Sequence, residues 1–237
     1  MRVYLDNNIL IDIENGLYSA EDFLNIEGAE YYFSNAHLNE LLNVEQPIEG
    51  LKEKRLTTIE KLCGNKYLFQ NDSTNVVFAS CTPRLAYERA SSVDSVRVII
   101  NKSIRGFNPN RTGLQKELGI NAREIGNYKP ENIFDAIEKI IMSSMKKGIK
   151  DYLILTEAFT LSTVYITLFN LLDIVGYRKD KNNVARLYDS VHAYYAQKCD
   201  ILVSNDARMC AKAKAVYHYM HVATQVMSAK SFLDIYL

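Results

Sequence analysis

The chain has 237 residues, with 28 Lys and Arg against 28 Asp and Glu, so its formal net charge is zero; 48% of it is apolar and 24% charged. That balance is ordinary for a globular protein with a substantial core, built as one large domain or as a domain carrying an insertion. It excludes nucleic-acid attachment through global basicity and leaves only local phosphate attraction. Cys63, Cys81, Cys199 and Cys210 show no paired C-x-x-C spacing and read as free thiols of a reducing compartment. Asp6 and Asp12 interrupt the N-terminus, so no signal peptide is expected and the expected location is cytoplasmic.

In chain order, RVYL over residues 2–5 reads as a strand ending at Asp6, followed by helices near 8–14 and 19–27, a strand over 30–34 and a helix over 35–44. Strands alternating with helices imply parallel pairing through right-handed crossovers. Pro47 and Gly50 suggest a boundary. A Lys-, Glu- and Leu-rich helix over 51–63 ends at Gly64, 76–79 forms a short strand, and Thr82-Pro83 opens a helix over 84–90. Residues 91–127 give no clear assignment beyond a turn at Gly106-Phe107-Asn108-Pro109 and breaks at Gly113, Gly119 and Gly126.

Order returns at Pro130, which opens a helix over 131–147 with an apolar stripe through Ile133, Ile137, Ile140, Ile141 and Met145. Residues 152–176 are long and apolar enough to raise a membrane question. Glu157, Asn170 and Asp173 argue instead for a buried helix, so no membrane partner is expected. A polar connector through Arg178, Lys179, Asp180 and Lys181 leads into a helix carrying Asp189. Ile201, Leu202 and Val203 form a strand covered on both faces. After Asp206 a helix runs to about Tyr219, then a short strand over 221–223 and a terminal helix from Ser228.

The acids of this pattern converge. Asp6 and Asp206 each follow a strand, at the edge where open α/β sheets hold ligands. Glu40, in SNAHLNELLN, sits about a turn and a half into a helix that starts at the same edge. Asp189 precedes Asp200 by eleven residues, about 16 Å of helix. The strand returns roughly the same length at about 3.3 Å per residue, which brings Asp189 level with Asp206. Taken singly, Asp6 or Asp206 reads as a helix cap, Glu40 as an exposed helix acid, and Asp189 as a partner of the Arg178–Lys181 cluster. Jointly, four acids on one edge favour a site.

Asp6-Asn7-Asn8-Ile9, the helical Glu40, Asp189-x-x-His192 with Ala193 and Ala196, and Ser204-x-Asp206 resemble the acidic motif set of PIN-domain nucleases. The resemblance covers residues 1–45 and about 183–237. It implies a three-layer α/β/α fold with a central parallel sheet, here a single domain over 1–237 with its core in 1–45 and 150–237 and a mostly helical insertion at about 46–149. It also implies a Mg²⁺- or Mn²⁺-dependent endoribonuclease acting on single-stranded RNA, as the toxin of a toxin–antitoxin pair or another stress or defence nuclease. A protein antitoxin or inhibitor and a second copy of the chain are its further expected partners. A structure-specific DNA nuclease on the same site, or a non-catalytic binding or scaffold module, are the alternatives.

Phosphodiester hydrolysis needs an activated water and neutralisation of charge at the phosphate, and divalent ions held by carboxylates supply both. Asp6, Glu40, Asp189 and Asp206 are the expected catalytic and metal-binding residues, with Asn8 and Ser204 orienting them. His192, one turn after Asp189, reads as a buried, hydrogen-bonded side chain rather than a base. Cys199, Cys210, His218 and His221 fit no compact zinc module. Basic residues cluster at Arg97, Lys102, Arg105, Arg111, Lys116 and Arg123, where Arg105 and Arg111 are candidates for phosphate contact. A solvated surface is the alternative for that stretch. Arg208 and Lys212, on the helix after Asp206, are candidates to hold a substrate backbone.

Overall fold

The computed structural model describes residues 1–42, 49–71, 75–92, 111–145, 148–155, 160–180 and 183–237. The turn expected at 106–109 and the residues Pro47, Arg97, Lys102, Arg105, Glu157 and Lys181 lie outside them. The chain divides into two compact units: Met1–Asn101 with Tyr195–Ala207 and Thr224–Leu237, and Lys102–Tyr194 with Arg208–Ala223.

The first unit is α/β. Its six-stranded sheet holds β1 (Arg2–Leu5), β2 (Glu30–Ser34), β3 (Lys66–Gln70), β4 (Val76–Ser80), β5 (Ile201–Val203) and β6 (Gln225–Met227), in the order β4-β3-β2-β1-β5-β6. All neighbours pair parallel except β3 and β4, which are antiparallel. Between the strands run α1 (Asn7–Glu14), α2 (Ala20–Leu24), α3 (Asn35–Leu42), α4 (Leu51–Cys63) and α5 (Pro83–Ser91). Val3, Leu5, Tyr31, Phe33, Ile201 and Val203 share one core with Ile9, Phe23, Leu56, Ile59 and Phe232. Tyr4, Ser34, Leu68 and Leu202 alternate with them in the strands and are also fully buried. A sheet buried on both faces explains the unbroken apolar run at 201–203.

Two strands depart from the sequence pattern. β3 was not anticipated: its apolar run is only Tyr67-Leu68-Phe69 between Lys66 and Gln70, too short to show a periodicity. It and β4 join the sheet from within the stretch expected to be an insertion. The strand expected at 221–223 lies instead at Gln225–Met227, since His221 has a φ of 54° that an extended ladder cannot accept. The helix expected over 19–27 is shorter and is capped at Asn25.

The second unit contains α6 (Arg111–Glu117), α7 (Ala122–Ile125), a 3₁₀ turn at Pro130–Asn132, α8 (Ile133–Met145), α9 (Ile149–Leu155) and α10 (Leu161–Val175). The buried helix expected over 152–175 thus corresponds to two described helices, α9 and α10. Thr160 and Thr163 form a capping box that starts α10, and Gly176 ends it at a φ of 92°. A Cβ at Gly176 would lie 2.8 Å from the Ala122 Cβ, so close packing and backbone both require glycine. Among the described residues, no helix is long and apolar enough to cross a membrane. Two further helices have residues in both units, α11 (Asn183–Ala196) and α12 (Ala207–Tyr219), and α13 (Ala229–Tyr236) closes the first unit.

Asp173 of α10 is fully buried and is the centre of a charge cluster. Arg111 and Arg186 each reach it at 2.7 Å, and Lys212 stands 3.6 Å from Asp173 and 2.5 Å from Asp180. Burial pushes the Asp180 carboxyl up, against the pull of the Lys212 ammonium. Removing one member of such a group strands the others in low dielectric. Asp173→Asn is therefore expected to cost about 3–5 kcal/mol in urea denaturation; a loss within about 0.5 kcal/mol, as at ordinary surface positions, would show that the cluster is not a structural anchor.

At the start of β5, Asp200 accepts hydrogen bonds from the Arg2 backbone N–H at 2.7 Å and from its Nη2 at 2.8 Å, which aligns β5 with β1. These bonds hold the Asp200 carboxyl below its ordinary value. A depressed carboxylate contributes stability that is present above its unfolded pKa and lost as pH falls through the folded one. Asp200→Asn should flatten that acid limb, by less than about 1 kcal/mol because the pair is half exposed. Denaturation midpoints across the acid range check it, and an unaltered limb would count against the pair.

Candidate active site at the strand-order reversal

β1 is the pivot of the sheet. From β1 the chain first builds β2 and β3 on one side, and later β5 and β6 on the other. The order reverses between β1 and β5, and in open α/β sheets the crevice beyond the carboxyl ends at that point is where ligands bind. Asp6 follows β1 directly, and Ser204, Asn205 and Asp206 follow β5. The Asp6 backbone N–H donates to the Val203 carbonyl at 2.9 Å, so the pairing carries the two loops out together.

Asp6 is 5% exposed and caps α1. Its Oδ1 accepts from the Asn7 backbone N–H at 2.7 Å, while its Oδ2 accepts from the Ser204 hydroxyl at 2.8 Å and from the Asn8 amide. Asn8 also donates to Ser204 Oγ at 3.0 Å and accepts from the Asn205 backbone N–H at 3.1 Å. Ser204 Oγ accepts from the Asp206 backbone N–H at 3.2 Å. Asn205 is pinned twice more, donating to Asp12 at 2.8 Å and accepting from Ala229 N–H at 3.1 Å. The expectation that Asn8 and Ser204 orient a carboxylate thus meets direct hydrogen bonds to Asp6. Asp206 is exposed at the mouth of the loop.

Glu40 joins from α3. Its Oε2 accepts from the Asn7 amide at 2.5 Å. The base of α3 is held by His37, which is 1% exposed. His37 Nδ1 accepts from the Ser34 N–H at 3.1 Å, so the proton sits on Nε2, which donates to the Leu5 carbonyl at 2.8 Å. One imidazole thereby ties together the carboxyl ends of β1 and β2. Beneath it the Tyr4 hydroxyl bonds Ser34 Oγ at 2.7 Å. Burial pushes the Tyr4 phenol far up, with the Asp6 charge acting in the same direction, so it stays neutral.

The remaining candidates belong to the second unit. Asp189 and His192 are on α11 in the second unit, and His192 is fully buried. Arg208 is half-buried on α12. Arg111 and Lys212 are corrected. Lys212 is completely buried against Asp180 and Asp173, and Arg111 is ion-paired to Asp173 and donates to Asn183 at 3.1 Å. Their helices turn these cations inward because buried carboxylates require a counter-charge there. All four cysteines are free thiols, and burial pushes Cys199 up to about 12.

Among the described residues, no group of three or more His, Cys, Asp and Glu side chains is arranged to hold a metal ion. Comparisons with protein-family models, curated proteins and solved structures found no match. What the arrangement offers chemically is a set of oriented oxygens at the end of a buried sheet. His37, Asn7, Arg55 and Glu14 support it; Asn7 was read only as part of the Asp6-Asn7-Asn8-Ile9 motif, and the other three were not singled out in the sequence.

Ser204 is the hub between Asp6, Asn8 and the Asp206 backbone. Ser204→Ala removes a donor to a buried carboxylate, a bond worth about 1.5–3 kcal/mol. Urea denaturation should show a loss of that size with an unchanged m-value, and an unchanged midpoint would mean that the loop does not depend on this hydroxyl.

Proposed function

We propose that the chain is a metal-dependent nuclease of PIN type that hydrolyses single-stranded RNA, with its chemistry at the carboxyl ends of β1 and β5. The observation that carries this reading is the position of Asp6: at the strand-order reversal, nearly buried, and hydrogen-bonded to the Ser204 hydroxyl from the opposite strand. The six-stranded, mostly parallel sheet is compatible with the three-layer fold that the motif resemblance implies.

The donor chemistry fits Mg²⁺ or Mn²⁺. Asp6, Glu40 and Asp206 offer hard oxygens only, and Mg²⁺ keeps several waters, needing one or two carboxylates plus substrate phosphates. Asp6 and Asp206 would hold the ion; Glu40 is tied to the start of α1, just after β1, through Asn7, and Asp189 enters as the fourth acid from the sequence pattern alone. When bound, the ion supplies a nucleophilic water at neutral pH and neutralises phosphate charge. Asn8 and Ser204 hold the Asp6 carboxylate in one orientation, and Asn205 keeps the Asp206 loop against α1. Lys212 and Arg111 are engaged by Asp173 and Asp180 and have no part in this reading.

Purified protein is expected to cut labelled single-stranded RNA in the presence of Mn²⁺ and not with EDTA. Asp6→Asn should lower the rate at least about a hundredfold while leaving the fold intact, the scale on which a preorganised electrostatic contact acts. Faster cleavage of the matching DNA would redirect the substrate assignment, and a wild-type rate in an Asp6→Asn/Asp206→Asn variant would remove the site.

A further inference from the structure

We infer that Arg55 is a positioning residue for the proposed nuclease centre, fixing the carboxylate of Glu40 through Asn7; the inference rests on the metal-dependent reading above. Arg55 comes from α4, within the stretch that the motif resemblance does not cover. Its side chain is 6% exposed, and that of its partner Glu14 is 3% exposed. Nε donates to Glu14 Oε1 at 2.5 Å and Nη2 to Oε2 at 3.1 Å, a two-pronged clamp that sets the guanidinium plane. The remaining arm, Nη1, donates to Asn7 Oδ1 at 2.7 Å.

The direction of the relay follows from donor chemistry. A guanidinium has no acceptor, so the side of the Asn7 amide facing it must be the carbonyl. The amide NH₂ is then turned the other way, and it donates to Glu40 Oε2 at 2.5 Å. Arg55 and Glu40 therefore select the same flip of Asn7 from opposite sides, and without Arg55 only the Glu40 end of the amide is held. Asn7 and Glu14 are seven residues apart, two turns of α1, so both lie on one face and can meet the same side chain of α4. A lysine at 55 could not replace the fork, because an ammonium on a flexible stem cannot hold Glu14 in two places and Asn7 in a third.

The test uses the full chain and two variants. Arg55→Lys keeps the charge, and Glu14→Leu/Arg55→Met removes the pair together, which avoids leaving one buried charge alone. In wild type the Asn7 side-chain NH₂ resonances, assigned by their loss in Asn7→Leu, should be protected from solvent exchange. In both variants that protection should fall at least about tenfold, as Mn²⁺ affinity and cleavage of single-stranded RNA fall about 10–100-fold, the range for groups that orient metal ligands. Unchanged Asn7 protection in the variants overturns the relay. Loosened Asn7 with wild-type Mn²⁺ affinity also overturns it and leaves the metal-dependent reading standing. If wild type itself neither binds Mn²⁺ nor cleaves, that reading fails and takes this inference with it.

Discussion

The parallel pairing of β1 with β2 on one side and β5 on the other is the constraint on which the rest of the first unit depends. A central strand with both faces buried has no room for a polar side chain, so its polar groups are driven to its end. The first residue past β1 is Asp6, and its backbone still belongs to the ladder through Val203. Because β1 lies where the strand order reverses, its end and that of β5 open onto the same space. Position in the sheet, rather than any one side chain, is what makes these oxygens a candidate site.

Around that constraint, the fold satisfies its buried polar groups in series. His37 joins two strand ends with one ring, Ser204 joins Asp6 to the β5 loop, and Asn205 joins that loop to α1 and α13. Each of these side chains uses donors and acceptors in fixed roles, so each constrains the orientation of the next. The Asp6 carboxylate, held by three donors, therefore has its orientation set by the fold.

The second unit handles charge by compensation. Three cations surround Asp173 and Asp180, with Lys212 completely buried between them. Such a group adds little net stability over apolar packing, but it is intolerant of losing one member. The same physics governs Glu14 and Arg55 in the first unit, where the pair also leaves one guanidinium arm for Asn7.

By itself the sequence determined the local events. Alternation of strands and helices, the 201–203 run, the Thr82-Pro83 and Ser228 helix starts and the placement of Asp6, Asn8 and Ser204 at strand ends were all legible, because each depends on neighbours in the chain. Asp173 was legible as a mark of a buried, water-compatible helix, but its three cations were not. β3 was too short for its pattern to show, and Arg55 read as one more charge in a Lys- and Glu-rich helix. Lys212 and Arg111 looked like phosphate contacts. Only the tertiary structure decided which charged side chains turn inward, because that depends on a counter-charge supplied from far along the chain: Glu14 for Arg55, Asp173 for Arg111 and Asp180 for Lys212. No local pattern carries that information.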